Sequence, residues 1–285
     1  MSVRHGYLAG LIGSGVGPSL TPELHMTEAA AQGLTYLYRT IDLHDRGLPP
    51  ESVGSLVRHA QYLGYDGLNI THPCKQLVIP ALDGLDPRAS ELNAVNTVVF
   101  GRQGAVGHNT DWSGFADSFR RDLGDVNKNR VVQLGGGGAG AAVAHAMLTL
   151  EAGQLSIFDL DTARAQHLAH KLRVRFGADR AAAVTDLTIA MATSDGLVHA
   201  TPTGMARHPG LPLSPTLLRP AHWVAEIVYF PLETELVRVA RARGCRTMNG
   251  SGMAVFQAAK AFRLFTGLEP DVERMQLHFN SMGTS

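Results

Sequence analysis

The chain has 285 residues, and its 25 lysine and arginine side chains are balanced by 25 aspartate and glutamate side chains. A net charge of zero argues against a nucleic acid or a charged membrane surface as partner, and two cysteines are too few for a disulfide framework, so a reducing cytoplasm is the expected location. The N-terminus has no signal-sequence character, no apolar run reaches the ~18 residues of a membrane span, and no Cys/His spacing is typical of a metal site.

The first part of the chain, up to residue 106, alternates segments of strand and helix character. Short apolar runs predict strands, and apolar side chains three to four residues apart predict helices. The predicted strands are Tyr7–Ile12, Thr35–Ile41, Gly67–Ile70 and Thr97–Phe100, and the predicted helices are Pro22–Ala31 and Glu51–Leu63. Strands that alternate with helices favour a mostly parallel sheet.

A second α/β segment follows from Arg130. Its strands are expected near Val131, Leu155, Leu197 and Val224. A predicted helix over Asp111–Leu123 leaves the first segment and precedes this one, and further helices are predicted over Thr234–Arg243 and, last, over Met253–Phe265. The last predicted helix carries apolar side chains at helical spacing, so we expect it to face a core. No low-complexity linker separates the two segments. We therefore predict an α/β fold with two domains joined by rigid helices and a cleft between them.

The glycine-rich segment after the strand near Val131 is the most informative part of the chain. Gly135, Gly137 and Gly140 fit the pattern G-x-G-x-x-G, which also encloses Gly138 and Ala139. Glycine allows a sharp turn and a close approach to a pyrophosphate, and the N-terminus of the following helix offers N–H groups to the phosphates. These residues are therefore predicted to bind a dinucleotide.

An acid at the end of the next predicted strand strengthens this prediction. Asp159 follows the strand Leu155–Phe158, close to the ~20 residues after the glycines at which a carboxylate binds the ribose of NAD. A carboxylate accepts hydrogen bonds from both ribose hydroxyls and repels the 2′-phosphate of NADP, so we expect NAD, with NADP as the weaker cofactor. Arg164 is included in the predicted site, where it pairs with Asp159, lies along the adenine or is simply solvated.

Polar segments lie at the ends of several predicted elements, where α/β proteins place their sites. They are Ser19-Leu20-Thr21-Pro22, Asn69–Lys75, Ala94–Thr97 and Asn109–Trp112. Ser19 or Thr21 fits a helix N-cap, and the hydroxyl pair also suits a carboxylate. Each of the two charged residues also has an interpretation without a catalytic role: Lys75 as a surface side chain and Asp111 as a helix cap.

Together these segments resemble the shikimate dehydrogenase family over nearly the whole chain. The resemblance continues through the glycine turn, Thr201–Met205, Tyr229-Phe230-Pro231 and Gln257-Ala258-Ala259. It implies a substrate-binding domain from residues 1–107 plus 247–285 and an NAD-binding Rossmann-like domain from residues 108–246. It also implies reversible hydride transfer between NAD and a ring hydroxyl of quinate or shikimate, which gives 3-dehydroquinate or 3-dehydroshikimate.

The resemblance further implies a role for each matching substrate-binding residue. Ser19 and Thr21 match the hydroxyl pair that holds the substrate carboxylate, with help from Tyr229. The residues that match donors and acceptors to the ring hydroxyls are Thr71, Asn96 and Gln257.

Lys75 and Asp111 match the catalytic pair of the family, and Thr201 and Gly252 join the predicted cofactor-binding residues. Oxidation of a secondary alcohol needs a proton acceptor at the oxygen as well as a hydride acceptor, and a lysine beside a carboxylate can supply it. Which of the two takes the proton first stays open, because such a pair titrates as a unit.

Four positions depart from the usual family pattern. Thr21 replaces the second serine of Ser-x-Ser, and Asp159 replaces the start of an Asn-Arg-Thr cluster. Both changes resemble the NAD-using quinate/shikimate dehydrogenases, so quinate is expected as a substrate beside shikimate. Asn93 stands where glycine is common, and Cys74, at a position usually aromatic or aliphatic, is interpreted as a small buried apolar residue.

Other functions are weighed against this one. An NADP-dependent biosynthetic shikimate dehydrogenase is the nearest alternative, and Asp159 argues against it. A folate-linked methylene dehydrogenase and a non-catalytic NAD- or metabolite-sensing module are disfavoured by the presence of both Lys75 and Asp111. The sequence leaves open whether the chain forms a homo-oligomer.

Overall fold

The computed structural model describes residues 6–282. The strands are β1 Gly6–Gly13, β2 Thr35–Asp42, β3 Gly67–Ile70, β4 Gly84–Leu85, β5 Thr97–Gly101, β6 Gly104–His108, β7 Arg130–Leu134, β8 Gln154–Phe158, β9 Ala181–Ala183, β10 Gly196–His199, β11 Trp223–Glu226 and β12 Arg246–Met248. The α-helices are α1 Thr21–Ala31, α2 Val53–Tyr62, α3 Pro87–Leu92, α4 Asp111–Leu123, α5 Gly138–Thr149, α6 Thr162–Phe176, α7 Leu187–Ala192, α8 Glu235–Ala242, α9 Gly250–Thr266 and α10 Val272–Met282.

The described residues form two compact units. The first unit contains residues 6–110 and 257–282, and the second contains residues 111–256. The chain passes from one unit to the other at the start of α4 and again within α9. Which ligand each unit binds stays a prediction.

The sheet of the first unit has the strand order β2-β1-β3-β5-β6-β4 in the described residues. β1 pairs in parallel with β2 and β3, and β4 pairs in parallel with β6, whereas β5 runs antiparallel to both of its neighbours. Because β5 is reversed, its beginning lies beside the carboxyl end of β3. Polar residues after β1, after β3 and before β5 therefore share one edge of this sheet.

The sheet of the second unit is parallel throughout its described strands, in the order β12-β11-β10-β7-β8-β9. If β7 is counted as the first strand of this unit, the order is 6-5-4-1-2-3, which is that of doubly wound dinucleotide-binding sheets. The topological switch lies between β7 and β10. Ligands of such sheets bind outside the carboxyl ends of the strands at the switch. The predicted α/β class with a Rossmann-like sheet is confirmed.

Helix α10 follows the helix that the sequence presents as the last one, so that expectation is wrong. The helix buries Met275 and Phe279, which form a narrow apolar stripe on an otherwise polar segment. Much of its attachment is electrostatic, since Arg274 reaches both carboxylate oxygens of the buried Glu28 on α1 at 2.8 Å. Periodicity detects a broad apolar face better than a single ion pair between distant segments.

No helix among residues 6–282 combines the length and the apolar character that a membrane crossing needs.

Candidate functional site

The loops that carry Thr71, Lys75 and Asn96 are connected at one edge of the sheet of the first unit. Thr71 N–H donates to the Ile12 carbonyl at 2.9 Å, which joins the end of β3 to the end of β1. Val95 N–H donates to the Lys75 carbonyl at 2.8 Å, which brings the loop of Lys75 beside the residues that precede β5. The structure thus collects these segments on one edge, as the strand directions require.

Asn96 has its side-chain amide held in one orientation. Its Oδ1 accepts the Thr110 backbone N–H at 2.7 Å, so this atom is the oxygen and the other is the nitrogen. Nδ2 then faces Thr110 Oγ1 at 2.9 Å and Gln257 Oε1 at 3.5 Å. Asn96 and Gln257, which are far apart in the sequence, therefore lie together with their polar atoms converging. Their roles as substrate ligands stay predictions.

The hydroxyl pair stands at the start of α1. Leu20, and neither Ser19 nor Thr21, occupies the N-cap position, and no side chain caps the helix from there. Ser19 Oγ accepts the Thr21 N–H at 3.3 Å, and the Ser19 N–H donates to the Val16 carbonyl at 3.0 Å. Because Ser19 Oγ accepts from the backbone, its own hydrogen can be donated to an anion.

Asp42, at the end of β2, is a buried carboxylate that the predictions from sequence leave out. It accepts backbone N–H groups from Gly15, Val16, Gly17 and His44. Burial alone would raise the pKa of the Asp42 carboxyl, but these hydrogen bonds outweigh it and hold the pKa below its ordinary value. The signal for finding it is the one that identified Asp159, an acid at the carboxyl end of an apolar strand.

The glycine turn of the second unit has the geometry that the sequence predicts. Gly135 has a φ of 98°, and a side chain on it would lie 2.5 Å from the Ala200 carbonyl oxygen. A side chain on Gly140 would collide with the Gly135 carbonyl, so α5 packs directly on the turn. Gly137 and Gly138, in contrast, face open space at the N-terminus of α5, beside Ala139. This is the arrangement that a pyrophosphate needs.

Gln133 ties the turn together from inside the sheet. Its buried Nε2 donates to the carbonyls of Gly135 and Gly140, both at 2.8 Å. From the sequence, Gln133 is predicted only as part of a strand, with no role of its own. A polar residue in an apolar strand directly before a glycine pattern is the signal that could have identified it.

Asp159 follows β8 and contacts the same turn. Its Oδ2 accepts the Gly136 N–H at 2.8 Å, and its Oδ1 accepts the Asp161 N–H at 2.9 Å. Arg164 lies 3.5 Å from Asp159 Oδ1 and 3.3 Å from Asp161 Oδ2, so it pairs with both carboxylates. A carboxylate has about four acceptor positions, and these three contacts leave Asp159 about one position for a ribose hydroxyl.

A buried His–Glu pair holds Thr201 at the end of β10. His199 Nδ1 lies 2.8 Å from Glu226 Oε1, and Thr201 Oγ1 lies 2.5 Å from His199 Nε2. Both side chains of the pair are fully buried, and Thr234 donates its hydroxyl to Glu226 at 3.0 Å. The imidazole contacts Glu226 through Nδ1 and Thr201 through Nε2, so the pair holds the Thr201 hydroxyl next to the glycine turn.

Asp111, Tyr229 and Gly252 complete the predicted residues of the second unit. Asp111 is the first residue of α4, so it lies inside the helix and not at the capping position before it. Desolvation and, second, the Asp111 carboxylate raise the pKa of the Tyr229 phenol. A side chain on Gly252 would collide with Ser118 Oγ on α4. Close helix packing therefore explains this glycine without a ligand, and its cofactor role stays a prediction.

Cys74 is fully buried, as the sequence suggests, and its Sγ lies 3.8 Å from the Pro50 carbonyl. Burial, and then Glu51, raises the pKa of the Cys74 thiol to about 11, so the thiol is protonated near neutral pH. In the described part of the chain, no group of three or more His, Cys, Asp or Glu side chains is arranged to hold a metal ion.

Family models match two parts of the chain. Residues 11–98 match the shikimate dehydrogenase substrate binding domain, and residues 250–276 match the shikimate 5′-dehydrogenase C-terminal domain. The first match contains the hydroxyl pair, Lys75 and Asn96, and the second contains Gln257.

Similar proteins match over nearly the full length. The chain is 63% identical to a shikimate dehydrogenase (NADP(+)) of Streptomyces avermitilis, with 94% of this chain and 93% of that protein covered. It is 47% identical to a quinate/shikimate dehydrogenase (NAD(+)) of Corynebacterium efficiens, with coverage of 96% and 98%. The solved structure of a quinate dehydrogenase from Corynebacterium glutamicum in complex with NAD superposes with a TM-score of 0.92 at 45% identity, covering 98% of this chain and all of that one.

Proposed function

Because this chain belongs to the shikimate dehydrogenase family, we propose that it is an NAD-dependent enzyme that oxidises one ring hydroxyl of quinate and of shikimate. The products are 3-dehydroquinate and 3-dehydroshikimate, and each turnover moves a hydride to the nicotinamide and releases one proton. The chain is an oxidoreductase of this family, because it is similar over nearly its full length both to a relative named as NADP-dependent and to one named as NAD-dependent. The choice of NAD and the use of quinate are the finer parts of the proposal.

Asp159 is the observation that carries the choice of NAD. Its carboxylate lies against the Gly136 N–H, so it stands at the glycine turn where the ribose of a bound dinucleotide is expected. The open space at Gly137 and Gly138 fits the pyrophosphate of that dinucleotide. A 2′-phosphate at this position would meet a negative charge, and Arg164, the nearby cation, is already paired with Asp159 and Asp161.

The substrate side of the proposal rests on the edge of the first sheet. The substrate is an anion with several hydroxyls, and this edge offers hydroxyl donors at Ser19 and Thr21 and amides at Asn96 and Gln257. When bound, NAD supplies the hydride acceptor. We assign the proton of the reacting hydroxyl to Lys75 and Asp111, the titratable residues that match the catalytic positions of the family.

A turnover assay tests the reaction itself. Purified protein mixed with NAD and either quinate or shikimate is expected to produce reduced nicotinamide, together with the corresponding 3-dehydro acid in equal amount. Binding of NAD without turnover of either substrate would instead identify a sensing module. Turnover of shikimate alone would restrict the proposal to shikimate.

Thr21→Ser is expected to shift the quinate/shikimate ratio of kcat/KM toward shikimate by roughly tenfold, with both activities retained. The reason is that the Thr21 methyl shapes the carboxylate end of the pocket, and one methyl is worth about 1–3 kcal/mol of discrimination. Steady-state kinetics with both acids measures the ratio.

Ser19→Ala is the matched comparison, because it removes a hydrogen bond that both substrates share, worth about 1.5–3 kcal/mol for a charged acceptor. It should weaken both substrates and leave the ratio unchanged. An unaltered ratio in Thr21→Ser would assign quinate use to another part of the pocket.

The NADP-dependent shikimate dehydrogenase is the second candidate, because the 63% identical relative of Streptomyces avermitilis carries that name. The acid at position 159 favours NAD over this alternative, and the comparison of the two cofactors decides between them.

A further inference from the structure

Asp42 organises the loop between β1 and α1. Its Oδ1 accepts the Gly15 N–H at 2.9 Å and the His44 N–H at 3.0 Å. Its Oδ2 accepts the Val16 N–H at 2.6 Å and the Gly17 N–H at 3.1 Å. Asp42 as a residue is 6% exposed, so water does not readily replace these bonds when the side chain is removed.

A short series of hydrogen bonds connects Asp42 to the hydroxyl pair. Asp42 fixes the Val16 peptide through its N–H, and the carbonyl of Val16 accepts the Ser19 N–H at 3.0 Å. Ser19 Oγ in turn accepts the Thr21 N–H at 3.3 Å. The position of the Ser19 hydroxyl, and the direction of its hydrogen, therefore depend on a loop whose backbone is held by Asp42.

Apart from the Asp42 contacts, the loop is held by a hydrogen bond from the Ser14 N–H to the His72 carbonyl at 3.0 Å and by the burial of Val16. Ser14, Gly15, Gly17 and Pro18 are exposed, and Val16 is the buried apolar side chain of the segment. Glycine at two of these positions gives the free loop a large conformational entropy. Hydrogen bonds from three successive N–H groups to the Asp42 carboxylate offset the entropy that the loop loses when it is ordered, and they hold its backbone in one conformation.

We propose that Asp42 is a positioning residue for recognition of the substrate carboxylate, acting through the loop that presents Ser19 and Thr21. This inference rests on the proposed function, in which the hydroxyl pair binds the carboxylate of quinate or shikimate. The role requires no contact between Asp42 and the substrate. Asp42 sets where the donors stand before the substrate arrives, so its contribution is to affinity and not to the chemical step.

The direction of the effect separates positioning from simple electrostatics. Removal of a negative charge near a site for an anionic substrate would by Coulomb's law alone strengthen binding and lower KM. Loss of the anchored loop would weaken binding and raise KM. The two explanations therefore predict changes of opposite sign in the same variant.

Asp42→Asn is the test variant, since it keeps the size of the side chain but turns one acceptor into an N–H donor that faces backbone N–H groups. We expect KM for shikimate to rise about 10- to 100-fold with kcat and KM for NAD changed little, the signature of lost uniform binding. Asp42→Glu, which keeps the charge, should recover part of the loss and serves if the asparagine variant does not fold.

Asp83→Asn is the matched control, because Asp83 accepts the Ala105 N–H at 2.7 Å in the same unit but at the β5–β6 hairpin.

The outcomes distinguish this inference from the proposed function. If Ser19→Ala raises KM for shikimate but folded Asp42→Asn and Asp42→Glu leave it unchanged or lower it, Asp42 has no positioning role. If the Asp42 and Asp83 variants lose Tm and activity alike, with kcat and both KM values affected, Asp42 is merely structural and the inference is also overturned. If Ser19→Ala itself leaves KM unchanged, the assignment of the hydroxyl pair fails instead. A methyl ester of shikimate should show a smaller Asp42→Asn effect than shikimate.

Discussion

Lys75→Ala is expected to lower kcat by about 10²- to 10⁴-fold, the scale on which a positioned acid or base contributes to a proton transfer. Alanine removes the ammonium group that would exchange the proton of the reacting hydroxyl. The Lys75 backbone should keep its place, because its carbonyl accepts the Val95 N–H and alanine keeps that bond. Steady-state kinetics with shikimate and saturating NAD measures the loss.

Controls separate a chemical role from general damage. Lys171→Ala removes an exposed lysine from α6 in the second unit and should leave kcat unchanged. The Kd for NAD should be the same in Lys75→Ala as in the unmodified enzyme. A Lys75→Ala variant that keeps more than about a tenth of kcat is incompatible with general acid–base catalysis by this residue.

Asp159→Ala is expected to lower the NAD/NADP ratio of kcat/KM by roughly 10- to 100-fold, which corresponds to about 1.4–2.8 kcal/mol of differential binding. Two effects add. NAD loses the carboxylate that accepts its ribose hydroxyls, and NADP no longer meets a negative charge. In addition Arg164 loses one of its two carboxylate partners, the Asp159 oxygen at 3.5 Å, and keeps only Asp161 in competition with a 2′-phosphate.

Two further variants separate the contribution of the Asp159 carboxylate from that of Arg164. Asp161→Ala removes the neighbouring carboxylate that pairs with Arg164 at 3.3 Å and caps α6, but it leaves the acid at the strand end, so the ratio should change little. Asp159→Ala combined with Arg164→Ala should lose the gain for NADP while NAD stays weak. A ratio that is the same in Asp159→Ala as in the unmodified enzyme would show that cofactor choice is decided elsewhere.

The second unit could be predicted closely because its signals are local. Gly135 and Gly140 are required by contacts within a few residues of the turn or with the adjacent β10 loop, and Asp159 follows its strand directly. Such features appear in the sequence as fixed spacings. The His199–Glu226 pair has no such spacing, because its members lie on neighbouring strands and meet only through sheet order.

The first unit also contains one feature that local sequence explains and one that it does not. Asn93, noted as a departure from a common glycine, has a φ of 49° and ends α3 in the left-handed conformation. Asparagine tolerates this conformation better than other side-chain-bearing residues, so the backbone explains both the usual glycine and its replacement. The position of Asp42 at the end of a strand is visible in the sequence, but its contacts are with residues more than twenty positions earlier, and no local pattern indicates those contacts.

Cofactor choice in the unmodified enzyme is decided by its kcat/KM for NAD and for NADP, determined with shikimate and again with quinate. The carboxylate at position 159 predicts that NAD is preferred by about tenfold or more with either acid. An equal or higher kcat/KM with NADP would contradict the proposed NAD dependence and identify the chain as an NADP-dependent shikimate dehydrogenase.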